Sequence, residues 1–182
     1  MPLLNSLATP YAEALLQVTD ARSESDDVAA QCKDLLVLWS SSSDFREAMT
    51  SPVLEPDAKK VALAGLLGDQ VNASLMNLLK VLADRQRLVA FDAVLNRFLE
   101  LYRQSRQISL AKVATAQPLS EEQQAALTGK VQAMVGKGSV EMDLSVDPSL
   151  IGGFVVNLGS QVIDASIAGQ VRRLGLALAK AS

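Results

Sequence analysis

The chain has no histidine and only one cysteine, Cys32. The first absence removes the usual general base near neutral pH and the commonest transition-metal ligand. The second excludes an internal disulfide, so oxidative stapling contributes nothing and a reducing compartment is expected. No apolar run approaches the roughly 18 residues that signal a membrane span. The opening Met1-Pro2-Leu3-Leu4-Asn5-Ser6 lacks a basic region ahead of an apolar one, and there is no Arg-rich transit segment. A soluble protein made where it works is the simplest expectation; a mature form that has lost a transit segment also fits. Basic surplus is missing too. Up to residue 105 there are 10 basic and 14 acidic residues, net −4, and beyond it 7 and 6, net +1. Neither part is equipped for phosphate neutralisation, so no nucleic acid is expected as a partner.

What is present is enough apolar material for a core. Of 182 residues, 49% are apolar and 20% charged, with net charge −3. Disorder is excluded on that balance, and the length allows one ordinary domain or two small ones.

Up to about residue 105 the periodicity is helical. Thr9-Pro10 reads as an N-cap followed by a first-turn proline. Leu7, Tyr11, Ala14, Leu15 and Val18 then recur at spacings of three and four. A second helix starts near Ser25, with Asp26 and Asp27 at its positive end and Val28, Ala29, Cys32, Leu35, Leu36 and Trp39 as its stripe. The run Ser40-Ser41-Ser42-Ser43 stops it. A short helix spans Asp44 to Met49. Glu55-Pro56-Asp57 opens the next, with Val61, Leu63, Ala64 and Leu67 as its apolar residues and Gly68 as its stop. Another covers Asn72 to Asp84 through Leu75, Leu78, Leu79 and Leu82. The sixth carries Leu88, Phe91, Leu95, Phe98 and Tyr102 over about four turns, roughly 25 Å. Short connections make neighbours antiparallel.

After Gln107 the period changes. Ile108 to Ala116 reads as a strand ended by Pro118. Ser120-Glu121-Glu122-Gln123 is a capping box opening a helix with Leu127, Val131 and Met134, stopped at Gly136. Val140, Met142, Leu144 and Val146 alternate with polar residues, which predicts a strand with one buried face. Phe154 to Leu158 reads as a buried strand, and Val162-Ile163 as its return after a turn at Gly159-Ser160. A closing helix places Ile167, Val171, Leu174 and Leu178 on one face, with Arg172, Arg173 and Lys180 elsewhere. The expected fold is mainly α: an N-terminal six-helix bundle, residues 1–105, followed by a smaller α+β module, residues 106–182, joined by the polar stretch 103–107.

Candidate chemistry is thin. Gly136-Lys137-Gly138-Ser139 lacks the spacing and the strand-to-helix context of a phosphate loop and reads as a helix stop. Gly152-Gly153 reads as a bend at a strand start rather than an anion cradle. Asp147 and Asp164 have turn and cap positions. Cys32 lies on an apolar face as a packed thiol. Asn72-Ala73-Ser74 is formally a glycosylation sequon but reads as a helix start. No cofactor, no metal and no catalytic residue are expected. What remains is surface recognition. Small residues on the first helix (Ala8, Ala12, Ala14) either leave a shallow groove for an amphipathic helix or simply permit close internal packing.

Several segments, in order, carry a family resemblance. Tyr11-Ala12-Glu13-Ala14-Leu15, the run from Phe45 to Pro52, Lys59-Lys60, the run from Asn77 to Leu88, Ala114 to Ser120, and Val146 to Ser166 continued through Arg172-Arg173-Leu174 together resemble the delta subunit of bacterial and chloroplast F-type ATP synthases. That subunit is the counterpart of the mitochondrial oligomycin-sensitivity-conferring protein. The chain departs from the family in carrying Ala165 where a glycine is usual, and its arginine-rich stretch is thinner. The resemblance implies a non-catalytic subunit of the peripheral stalk, or stator. Its N-terminal bundle would take up N-terminal helices of alpha subunits and its C-terminal module would join b-type stalk subunits. It would sit peripherally on the cytoplasmic or stromal face of a cell inner membrane or thylakoid, without a transmembrane span. On that reading the alpha-subunit groove is expected at Tyr11, Ala14, Leu15 and Val18 opposite Asn77, Leu78, Val81 and Asp84. Gly152, Gly153, Asp164 and Arg172 are expected to shape the stalk-side module. The rival readings are a free-standing helical adaptor for an unrelated amphipathic helix, and a small enzyme.

Overall fold

The computed structural model describes residues 2–68, 70–135, 139–159 and 161–181, with the side chains of 2–5, 134–135 and 175–181 left undescribed. Gly136, Lys137 and Gly138, read above as a helix stop, lie outside the described residues, as do Ser160 of the hairpin turn and the side chains of Met134, Leu178 and Lys180. The fold is mainly α, a six-helix bundle followed by a smaller α+β unit, as the two periodicities predict. By its internal contacts the chain divides into Met1–Gln104 and Ser105–Ser182.

The first unit contains α1 (Pro2–Ala21), α2 (Ser25–Ser41), α3 (Ser43–Thr50), α4 (Pro56–Leu67), α5 (Ala73–Asp84) and α6 (Phe91–Arg106), with a 3-10 turn, Leu88–Ala90, before the last. Capping explains several starts. Ser42 accepts the Phe45 amide at 3.2 Å, and Asn72 Oδ1 accepts the Ser74 amide at 2.7 Å, so the apparent sequon is a helix cap. The core joins Ala8, Ala12 and Leu15 of α1 to Leu75, Leu79 and Leu82 of α5 and to Phe91, Leu95 and Phe98 of α6. Trp39 stacks on Phe91 with ring centroids 4.5 Å apart, and Phe45 meets both rings edge-on. Cys32 is packed within this core, where burial pushes its thiol pKa up and keeps it protonated.

Two expectations fail in this unit. Pro10 does not start α1; it lies inside a helix that begins at Pro2. A proline there removes one backbone hydrogen bond. It occupies the exposed side, while Ala8 and Ala12 on the opposite side carry the helix past it by burial. In α4 the core face is Lys59, Leu63 and Leu67, whereas Val61 is 73% exposed and Ala64 is also exposed. The buried Lys59 stem runs along the core and its ammonium donates to Ser51 O at 2.7 Å, beyond the end of α3. Finally, the joining stretch 103–107, within which the chain divides, is mostly helical. Arg103 to Arg106 complete the last turn of α6, and Gln107, at φ 55°, alone separates it from β1. Arginines at the negative end of a helix suit its dipole, so a polar run there does not imply a loop.

The second unit contains β1 (Ile108–Thr115), α7 (Glu121–Val135), β2 (Ser139–Val146), β3 (Phe154–Leu158), β4 (Gln161–Asp164) and α8 (Ile167–Ala181), with a 3-10 turn at Pro148–Leu150. Strand order is β2-β1-β3-β4. β1 and β2 are parallel, with Ala111 opposite Met142, and are joined through α7; the other pairs are antiparallel. The capping box at the head of α7 is reciprocal. Ser120 N–H donates to Gln123 Oε1 at 3.0 Å and Gln123 N–H donates to Ser120 Oγ at 3.3 Å. Leu127 and Val131 of α7 pack on Ala111, Val113 and Val156.

Burial in this unit is narrower than the alternation predicts. Val140 and Met142 pack on the core, but Leu144 and Val146, farther along the same edge strand, are exposed. In β3 only Val156 is fully buried. The stripe of α8 faces outward: Ile167, Val171 and Leu174 are all exposed. Leu79→Ala should destabilise the bundle by about 2–5 kcal/mol. Because Trp39 is the only tryptophan, its fluorescence in a urea titration reports that unit, and an unshifted midpoint would contradict the core assignment.

Candidate partner-binding sites

α1 turns Ala8, Ala12 and Leu15 into the core, as α5 does Leu75, Leu79 and Leu82. One step round each helix, the flanks do not meet. They leave a hollow of about 260 Å3 lined by Ala14, Leu15, Val18 and Arg22 from α1 and by Ser74, Asn77, Leu78 and Val81 from α5. Leu15 is buried, and Val18 and Val81 are 44% and 45% exposed. The alanines therefore divide by role: Ala8 and Ala12 are core, and Ala14 alone opens the hollow.

Six of the eight residues expected for the alpha-subunit groove line this hollow. Tyr11 and Asp84 do not. The Tyr11 hydroxyl accepts Arg87 Nη1 at 2.7 Å, with the guanidinium 5.9 Å from its ring centroid. Asp84 receives Lys60 Nζ at 2.7 Å, and Lys60 also reaches Asp57 at 2.8 Å. Hydrogen bonds donated by Lys60 to Asp57 and Asp84 hold the Lys60 pKa above its ordinary value, and Lys60 in turn lowers that of Asp57. Both expected residues thus brace neighbouring elements. Two lining residues were not expected, Arg22 and Ser74. Arg22 donates to Ser74 Oγ at 3.2 Å, and the Ser74 hydroxyl donates to Glu24 Oε2 at 3.1 Å. Extending the helical phase by one step, from Val18 to Arg22 and from Asn77 back to Ser74, finds them. A separate apolar hollow of about 520 Å3 lies among α2, α3 and α4, lined by Leu38, Phe45, Ala48, Ala62 and Leu66 among others.

In the second unit Gly152, Gly153, Asp164 and Arg172 converge at the root of α8. Ile151 forms a tight turn at φ 64°, ψ −40°, with Gly152 N–H donating to Leu150 O at 2.7 Å. Gly152 O then accepts the Ile167 amide at 2.9 Å. Gly153 has φ 79°, and a Cβ there would fall 2.3 Å from Ala165 O. No side chain fits that approach. Ala165 has no positive φ, and its amide donates to Phe154 O at 3.0 Å. Alanine is therefore accommodated where the family resemblance leads one to expect glycine.

Asp164 gathers the rest. Its Oδ1 accepts both the amide and the hydroxyl of Ser166, and Arg172 Nη2 reaches Oδ2 at 3.1 Å. Arg173 donates to Asp164 O at 3.3 Å. Ser166 Oγ caps α8 by accepting the Gly169 amide at 2.9 Å. A Cβ at Gly169 would lie 2.1 Å from Asp164 Oδ2, so the carboxylate rests directly on the first turn of α8. Sequence reasoning missed Ser166, Gly169 and Arg173. The Ser-x-x-Gly spacing at a helix start was the available signal.

The Ser166 hydrogen bonds, followed by the two arginines, hold the Asp164 pKa below its ordinary value. A depressed carboxyl pKa gives stability that is present above the unfolded value, near 4, and lost as pH falls through the folded value. Acid titration of Asp164→Asn should therefore lose part of the stability decline seen below about pH 4 in the parent chain. Identical acid profiles would contradict this role. Gly153→Ala should cost about 1–3 kcal/mol from backbone strain, with further loss from the carbonyl clash. An unchanged thermal midpoint would contradict the close approach.

Comparison with known proteins comes to the same point from three directions. A family model described as ATP synthase delta (OSCP) subunit matches residues 7–178. The chain is 76% identical to ATP synthase subunit delta of Synechococcus sp. (strain WH7803), covering all of both chains. It is 62% identical over 180 residues to the organellar chromatophore ATP synthase subunit delta of Paulinella chromatophora, covering 99% of each. In structure it is similar, at TM-score 0.71 and 26% identity, to a chain of the Toxoplasma gondii mitochondrial ATP synthase hexamer, covering 94% of this chain and 97% of that one.

Proposed function

The chain belongs to the ATP synthase delta (OSCP) subunit family, and from that premise we propose that it is the non-catalytic joint of the stator, gripping alpha-subunit N-terminal helices with its first unit and b-type stalk subunits with its second. Proton flow turns the rotor, and the joint keeps the catalytic head from turning with it. The observation that carries this reading is the α1/α5 hollow. It has an apolar floor, exposed valines on both rims and a polar closure at Arg22 and Ser74, which together suit the apolar face of an amphipathic helix. A stator needs slow dissociation. Nanomolar affinity corresponds to about 12 kcal/mol, and such affinity concentrates in a few buried apolar anchors.

Among the described residues no helix is long and apolar enough to cross a membrane, and no group of three or more acidic or cysteine side chains is placed to hold a metal. We place the protein at the cytoplasmic or stromal face of a cell inner membrane or thylakoid, attached through its partners. A free-standing adaptor for an unrelated helix is disfavoured by the match to the delta family over residues 7–178.

Ala14→Trp fills the hollow from an exposed position, where substitution leaves stability nearly unchanged. Calorimetric titration with an alpha-subunit N-terminal peptide should then show affinity reduced by roughly thirtyfold or more, about 2 kcal/mol, the size of a hot-spot loss. Parental affinity in a variant with a parental melting curve would reject the groove.

A further inference from the structure

Two successive lysines of α4 have opposite surroundings. Lys60 is the more exposed, yet it reaches two carboxylates, Asp57 and Asp84. Lys59 is only 7% exposed and has no carboxylate partner among the described residues. Its one hydrogen bond there goes to Ser51 O at 2.7 Å. An ammonium carries three N–H donors, and a buried lysine is ordinarily paired. Two donors are therefore left over on a side chain that bulk water reaches poorly.

Lys59 lines a cavity of about 150 Å3 where α3, α4 and the α5–α6 connection meet. Its polar wall is Lys59, Thr50, Ser51 and Gln86, and among the described residues no acidic side chain lines it. The Thr50 hydroxyl donates to Arg46 O at 2.7 Å and is spent. The Ser51 hydroxyl oxygen accepts the Val53 amide at 3.3 Å, which leaves its hydrogen to donate. The Gln86 side chain has no hydrogen bond among the described residues and adds two donors. Three helix ends also meet here: the carbonyl ends of α3 and α5, through Thr50 and Ala83, and the amide end of α4, through Pro56. Each end carries about half a charge, so two negative ends and one positive end offset about half of the ammonium charge. The cavity keeps a positive surplus and more donors than acceptors.

We infer that the cavity beside Lys59 binds one small oxyanion, a carboxylate or inorganic phosphate, with the Lys59 ammonium as its counter-charge and Ser51 and Gln86 as hydrogen-bond donors. Acceptor-only oxygens match a donor-rich wall, and charge-assisted bonds of this kind are the strong ones. A neutral apolar ligand would leave the spare donors unpaired and does not fit. The bound anion ties α3, α4 and the α5–α6 connection together and stabilises the bundle by mass action. The site shares no residue with the α1/α5 hollow, so it neither needs nor alters the stator reading.

The test titrates inorganic phosphate and, separately, acetate into the full isotope-labelled chain at constant ionic strength, and follows the backbone amide NMR signals. The expected result is saturable shifts centred on Ser51, Lys59 and Gln86 with at least one of the two anions. Phosphate alone marks a tetrahedral site and acetate alone a planar one. Lys59→Met keeps the apolar stem and removes the charge; it should weaken binding by roughly tenfold or more. Lys60→Met, at the exposed neighbour, should bind as the parent does. Shifts that stay linear with both anions, or that persist unchanged in Lys59→Met, would overturn the inference. Should Lys59→Met not fold, the titration of the parent chain still decides, because shifts without saturation at these three residues exclude the site.

Discussion

The close approach of α1 to α5 is the constraint on which the first unit turns. Ala8 and Ala12 are fully buried, and side chains this small let α1 lie close against its neighbours in the bundle. Closeness at the core line forces the flanks to splay, because each helix is a cylinder. Ala14, Val18, Leu78 and Val81 are left facing one another across a gap that none of them fills. The hollow is thus a by-product of good internal packing, and the same leucines that stabilise the bundle set the width of the groove.

The second unit solves a different problem with a similar economy of residues. A four-stranded sheet with α7 on one face has a small core, to which none of the described side chains of α8 belongs. α8 is instead oriented by polar geometry: one carboxylate, one serine cap, two arginines, and glycines at 152, 153 and 169 that allow three close approaches. Polar networks fix direction well but bury little apolar area, and Val171 and Leu174 accordingly stay exposed. Both units therefore end with apolar surface that their own cores do not consume, which is what a protein needs if its work is to hold two others together.

Much of this was legible in the sequence, and the failures share a cause. Helix capping at Asn72 and Ser120, the stripe of α2 and the change of period near residue 107 could be read because each is decided by neighbours within four residues. Six of the eight residues read onto one face of α1 and α5 also line a single hollow, whereas Tyr11 and Asp84 do not, and Arg22 and Ser74 were not anticipated. What could not be read were quantities set by the rest of the fold. Val61 and Leu63 are equally apolar, and it is packing against the rest of the bundle, with Lys59 bonded to Ser51 O on the same face, that buries Leu63. Leu144 and Val146 continue the pattern of Val140 and Met142, but on this edge strand only the first two pack on the core. Pro10 carries the local signature of a helix start, which burial of Ala8 and Ala12 overrides. Periodicity reports that a face is apolar; it does not report whether the covering comes from the same chain.

A joint must bind both sides at once. The most direct measurement mixes purified catalytic heads with the soluble stalk helices and follows their co-sedimentation as this chain is added. The account predicts that heads and stalk helices sediment separately without it and together at one chain per head. Equal co-sedimentation in its absence, or binding of one partner that expels the other, would contradict it.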